Sequence, residues 1–172
     1  MFFHNELKFN KSNNQLTDAL IAAFKVEDYG LVKKLILLNA DVTCNFTPNL
    51  PFLFALVFKC DIDLVFLAIK KGANPFILSS CEANIMHYAA VSGNFKLFLA
   101  LVMKYDIDLF QKDKHGISIL HTAAMGGNPD IVRYLLEKGA NPLDKDNDGK
   151  MPVDFCQNAE SKIALRNAMN KN

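Results

Sequence analysis

Two histidines, His87 and His121, stand 34 residues apart beside apolar residues, where an imidazole could act as a general base or bind a metal. Either role needs partners: a nucleophile, a second acid or base, or further ligands at a fixed spacing. No GxSxG, HExxH, glycine-rich phosphate loop or Cys-His constellation supplies them. The run Asp144-Lys145-Asp146-Asn147-Asp148-Gly149 also has the makings of chemistry, because D-x-D-x-D-G opens a calcium-binding loop with carboxylates at alternate positions. Its twelfth position, which requires a bidentate glutamate, is Phe155, and the helix leaving such a loop would have to start through Pro152. The cysteines Cys44, Cys60, Cys81 and Cys156 are well separated, with no CxxC pair and no histidine at ligand spacing. They read as free thiols, with a disulfide or metal framework as the alternative. No catalytic residue, metal or cofactor is expected.

Composition narrows the partners. Lys plus Arg number 19 against 18 for Asp plus Glu, so the chain has no field with which to gather nucleic acid or an anionic membrane. The longest apolar stretch, Leu50 to Phe58, is far short of the roughly 20 residues that cross a bilayer. The opening Met1-Phe2-Phe3-His4-Asn5-Glu6 lacks a signal peptide's basic region. A soluble, cytoplasmic protein is expected. With 172 residues, 51% of them hydrophobic, one folded domain with a real core is within reach.

The elements that position these residues repeat. The clearest unit runs from Asp113 through Gly116, Ser118-Ile119-Leu120-His121, Ala123-Ala124, Ile131-Val132 and Leu135-Leu136 to Gly139-Ala140-Asn141-Pro142. Gly116 recurs at Gly149, 33 residues on, and the His121 place falls on His87, Leu53 and Leu20 upstream and on Asp154 downstream at steps of 33 or 34. An alanine follows two positions later at Ala22, Ala55, Ala89 and Ala123, where a small side chain lets paired helices approach. Gly72-Ala73-Asn74-Pro75 matches Gly139-Ala140-Asn141-Pro142 two periods on, and Asn39-Ala40-Asp41-Val42 stands one period before the first. In the remaining unit Asp106-Ile107-Asp108-Leu109 occupies that place without a glycine.

Residues 113–142 resemble the ankyrin repeat, whose signature is D-x-x-G-x-T-P-L-H-x-A-A-x-x-G-x-x-x-I-V-x-x-L-L-x-x-G-A. The segments Leu50-Pro51-Phe52-Leu53, Asn84-Ile85-Met86-His87 and Met151-Pro152-Val153-Asp154 are degenerate forms of T-P-L-H. The resemblance implies an all-α solenoid of helix-turn-helix units joined by β-hairpin-like loops. About five units are expected, at roughly 14–46, 47–80, 81–114, 115–147 and 148–172, after an N-terminal segment 1–13. Each unit cannot bury its apolar face alone, so Leu64/Val65, Leu97/Phe98 and Ile131/Val132 should interdigitate between neighbours. Three units carry one extra residue between the histidine and glycine places, for example 53 to 72 against 121 to 139, and a lengthened turn or helix end is expected there. The pattern also implies that His87 and His121 bond to the backbone of their own hairpins and steady the helix starts. Asp148 and Gly149 then belong to the hairpin of the last unit.

Family members bind partner proteins in a concave groove lined by first helices and hairpin tips. Carried onto this chain, the variable groove positions four and five after the histidine place are Phe24/Lys25, Val57/Phe58, Val91/Ser92 and Met125/Gly126. One position after it come Ile21, Phe54, Tyr88 and Thr122. The expected partner-binding residues are Phe24, Lys25, Phe54, Val57, Phe58, Tyr88, Val91 and Met125, an apolar and aromatic set of the kind that anchors interfaces. Two alternatives stay open: a short stack covers part of this set, or the N-terminal segment with Phe2, Phe3, Leu7 and Phe9 folds over it. The tail, with Ile163, Leu165 and Met169 on one face, reads as a capping helix.

These readings converge on a monomeric, non-catalytic module that binds another protein. The alternative is a targeting or substrate-recruiting arm of a larger enzyme or complex. Richness in Lys, Asn, Ile and Phe resembles products of AT-rich genomes, including intracellular bacteria that deliver ankyrin proteins into host cells. An effector acting in a host cytosol is the corresponding expectation.

Overall fold

The structure is a computed structural model that describes residues 13–59 and 62–170. Phe2, Phe3, Leu7, Phe9 and Cys60, singled out above, lie outside the described residues. The chain folds as successive helix pairs: α1 (Asn13–Lys25) with α2 (Tyr29–Leu37), α3 (Phe52–Lys59) with α4 (Ile62–Lys70), α5 (Ile85–Val91) with α6 (Phe95–Lys104), and α7 (Ile119–Gly126) with α8 (Pro129–Glu137). A 3₁₀ turn at Pro152–Phe155 and a final helix α9 (Ala159–Met169) follow. First helices pack on first helices, α3 on α5 and α5 on α7, and second helices α2, α4, α6 and α8 form a second layer behind them. None of these helices is long and apolar enough to cross a membrane.

Local sequence sets the helix ends. The second helices start on side chains that accept from the first turn: Asp28 from the Leu31 amide at 2.9 Å, Asn94 from Leu97 at 3.0 Å, Asn128 from Asp130 at 2.9 Å. They stop where the chain turns left-handed, at Asn39 (φ 64°), Gly72 (φ 112°) and Gly139 (φ 95°). The third unit has no such residue: α6 runs ten residues against nine for α2, α4 and α8, and leaves through Tyr105 in extended conformation (φ −128°). That accounts for the extra residue of unit three. In the first two units the extra residue falls between the histidine place and the start of the second helix. The left-handed Glu27 comes seven residues after Leu20, where Gly93 and Gly127 come six after their histidines, and α3 runs to Lys59, six past Leu53.

The core runs along the stack between the layers. Val65, Leu97, Phe98, Ile131, Val132 and Leu135 are fully buried, as are Ala89 and Ala123 at the small-residue place. Ala22 is exposed, contrary to the pattern, because among the described residues no helix pair packs on the outer side of α1. Hairpins close each unit. Strands β1 (Asn45–Thr47) and β2 (Leu50–Pro51) pair antiparallel, and Lys112 bridges Ser118 two hairpins further on. At each later tip one side chain accepts two amides: Ser79 Oγ from Cys81 and Ala83, Asp113 Oδ1 from His115 and Ile117, Asp146 Oδ1 from Asp148 and Lys150. Asp146, the middle carboxylate of the calcium-like run, thus holds its own turn just as Asp113 does 33 residues earlier.

Candidate partner-binding cleft

The two histidines are structural. His121 Nδ1 lies 2.7 Å from Ser118 Oγ and accepts from the Ser118 amide at 3.2 Å, which closes a capping box on α7. That leaves the proton on Nε2, which reaches the Lys150 carbonyl at 3.1 Å. His87 repeats the arrangement, with Nδ1 at Asn84 and Nε2 3.2 Å from the Ile117 carbonyl. The sequence reading gave each ring to its own hairpin; the outer nitrogen in fact reaches the hairpin of the next unit, so each histidine fastens two units together. Burial, the largest effect, holds both imidazoles below their ordinary pKa and keeps them neutral. At the corresponding place Asp154 Oδ2 accepts from the Met151 amide at 2.8 Å. Of the thiols, Cys44 is pushed up to about 11 by burial and by the neighbouring Asp41 carboxylate, and burial raises Cys156. Neither is a poised thiolate. Cys44, Cys81 and Cys156 are free.

The cleft that stands out chemically opens between the first three units. It holds about 410 Å³ and is lined by Phe24, Lys25, Glu27 and Tyr29 from the first helix pair, Phe46 and Leu50 from the hairpin, Ala55, Phe58 and Lys59 from α3, and Tyr88 and Val91 from α5. Aromatic packing builds its floor. The Phe24 ring meets Phe46 at 5.1 Å, Phe52 at 5.3 Å and Tyr29 at 6.1 Å, all edge-on, and Tyr88 stacks on Phe54 at 4.7 Å. Phe46 swings from the hairpin onto α1, so α1 and α3 do not make the close backbone approach that joins α5 to α7. The space left between them is the cleft. Lys25 and Lys59 stand at its rim, and Lys59 reaches Glu27 at 3.6 Å, an exposed pair of little energetic weight.

Of the eight expected residues, Phe24, Lys25, Phe58, Tyr88 and Val91 come together at this cleft. Phe58 presents its ring to solvent at 48% exposure, while Phe24 is floor rather than surface at 5%. Phe54 and Val57 are corrected: at 0% and 1% exposure they are core, because α3 is wedged between neighbours and is apolar on every side. Met125 is exposed on α7, away from the cleft. Gly126, paired with Met125 as a variable position, is instead held by contact: a Cβ there would meet the Ala90 carbonyl oxygen at 2.5 Å. Sequence reasoning missed Tyr29, Phe46, Leu50, Glu27 and Lys59. Phe46 stands in the hairpin, where no spacing rule says that its ring turns inward.

Stacked helix-turn-helix units joined by hydrogen-bonded hairpins, with histidine caps at His87 and His121 binding the third unit to the fourth and the fourth to the last, define a helical repeat solenoid. A family model described as ankyrin repeats, three copies, matches residues 52–146, more than half of the chain, and the chain belongs to the ankyrin-repeat family. Human protein phosphatase 1 regulatory subunit 27 is 41% identical over 70 residues, which cover 41% of this chain and 45% of that protein. The BTB/POZ domain and ankyrin repeat-containing protein NPR1 of Malus hupehensis is 28% identical over 171 residues, covering 87% of this chain and 28% of that protein. The Notch-regulated ankyrin repeat-containing protein A of Danio rerio is 32% identical over 87 residues, covering 41% and 77%. The match thus spans less than half of the phosphatase subunit and about a quarter of the NPR1 protein.

Proposed function

We propose that the chain is a non-catalytic interaction module that holds a partner protein in the cleft between its first three units. The observation that carries this reading is the cleft itself: a largely apolar concavity with a half-exposed phenylalanine, Phe58, at its mouth and a rigid aromatic floor. Concentrated apolar and aromatic surface in a preformed recess is what interface anchors exploit. The names of relatives agree with the class of role, since one is a phosphatase regulatory subunit. Both ring nitrogens of His87 and His121 are taken by structural bonds, which removes the residues a catalytic reading would have used. A recruiting arm of a larger assembly would use the same cleft. The setting in a host cytosol is motivated by composition alone, so the test covers both kinds of extract.

The test is capture from eukaryotic and bacterial lysates by wild type beside Phe58→Asp. Phe58 is the right site because its ring is exposed, whereas Phe24→Asp would put a carboxylate into the core and confuse misfolding with lost binding. After circular dichroism shows equal helicity, the variant should lose the captured species. Equal capture by both proteins would exclude the cleft as the binding surface.

A further inference from the structure

The charge around the cleft says what kind of segment it takes. Lys25 closes the α1 wall and has no ion-pair or hydrogen-bond partner among the described residues, and Lys59 closes the α3 wall. Among the described residues the one carboxylate lining the cleft, Glu27, lies 3.6 Å from Lys59 and leaves one positive charge uncompensated. The interior between these two ammonium groups is apolar, built on Phe24, Phe46, Phe58 and Tyr88. An apolar recess of about 410 Å³ admits one or two large side chains, not a whole helix face.

We propose, resting on the partner-binding reading above, that the cleft recognises a peptide segment in which one large apolar side chain, aromatic or branched aliphatic, is flanked by carboxylates. The apolar side chain enters between Phe46 and Phe58, and the flanking Asp or Glu meets Lys25 and Lys59 at the rim. The division of labour follows from burial: the sequestered ring contributes affinity, while the solvent-exposed rim charges select the flanks and speed the encounter. A basic flank is disfavoured because it would bring like charge against both lysines. Neutral flanks leave the lysines solvated and bind in between. Because the rim charges are exposed, the preference for acid should fade as salt screens it.

The test is selection of a random twelve-residue display library on the immobilised whole chain, with parallel selections on Phe58→Asp and on the double variant Lys25→Glu/Lys59→Glu. The expected result is enrichment of sequences with Phe, Trp, Leu or Ile within three positions of Asp or Glu, absent on Phe58→Asp and shifted to Lys or Arg flanks on the charge-reversed variant. Synthetic peptides from the enriched set should bind the charge-reversed variant roughly threefold to tenfold more weakly, the range for a few exposed ion pairs. That difference should shrink at high salt. Enriched sequences that disappear on Phe58→Asp but carry neutral or basic flanks would overturn the acidic preference and leave the cleft reading standing. Enrichment that is indifferent to Phe58→Asp, or none at all, would overturn the cleft reading itself.

Discussion

Gly126 shows how one residue without a side chain sets the spacing of the stack. Its α-carbon faces the backbone of α5, and a Cβ would lie 2.5 Å from the Ala90 carbonyl oxygen and 2.8 Å from that of Val91. Alanine is the better helix former by about 1 kcal/mol, but overpacking of this severity costs about 1–3 kcal/mol, and rigid backbone cannot step aside. Gly126→Ala should therefore lower stability in urea denaturation, by up to about 2 kcal/mol net; a stabilising result would refute the close approach. The histidines give a pH signature. An unfolded histidine takes up a proton near its ordinary 6.5, whereas buried His87 and His121 resist until a lower pH. Their contribution is thus complete above pH 6.5 and is lost as the pH falls from there through the lower folded values. The urea midpoint should drop between pH 7.5 and 5.5, and the His87→Gln/His121→Gln protein should lose much of that drop. Identical pH slopes in the two proteins would rule out the histidine caps as the cause.

Helices were legible in the sequence wherever the repeat spacing held, because one apolar period and one cap per unit leave the backbone few choices. The register of His87 and His121, the left-handed Gly72 and Gly139, and the buried pairs Leu97/Phe98 and Ile131/Val132 all follow from that spacing. Which apolar residues face the solvent was not legible. Phe54 and Phe58 are identical in type and four residues apart on α3, yet one is core and the other surface, a difference set by the neighbouring Tyr88 ring. The last helix shows the same split. In α9 Leu165 is fully buried against the stack, and Ser161 is buried with its hydroxyl unpartnered among the described residues. Leu165→Ala should cost about 2–4 kcal/mol by leaving a cavity, while Ser161→Ala should raise stability by about 1 kcal/mol through removal of an unsatisfied polar group. Thermal unfolding of both variants checks the pair; a destabilised Ser161→Ala would mean that the hydroxyl has a partner such as a bound water. Arg133, which reaches Asp130 at 2.9 Å and Glu160 at 3.0 Å, is about half exposed, so its loss should change little.

Across the described residues the contacts between first helices are uneven, and the cleft sits where they approach least closely, between α1 and α3. From the third unit onward three devices bind neighbours. The outer histidine nitrogens reach the next hairpin at Ile117 and Lys150, the hairpin tips bond in a row through Lys114 to Cys81 and Asn147 to His115, both at 2.9 Å, and Asn128 Nδ2 donates to the Gly93 carbonyl at 2.8 Å. The first two units have Leu20 and Leu53 in the histidine place, and α1 stands off from α3 across the cleft. In a stack whose stability is a sum of unit and nearest-neighbour terms, the weakly coupled end opens first. Native-state hydrogen exchange should find the slowest amides in α5 and α7, around Ala89–Val91 and Ala123–Met125, and markedly faster exchange in α1. A partner seated in the cleft bridges α1, α3 and α5, so its binding should slow exchange in α1 most of all and leave α7 nearly unchanged. Uniform protection along the free chain would mean that the interface of α1 with α3 is as strong as that of α5 with α7 despite the missing bonds, and the recess would then be a fixed feature of packing rather than a joint that a partner tightens.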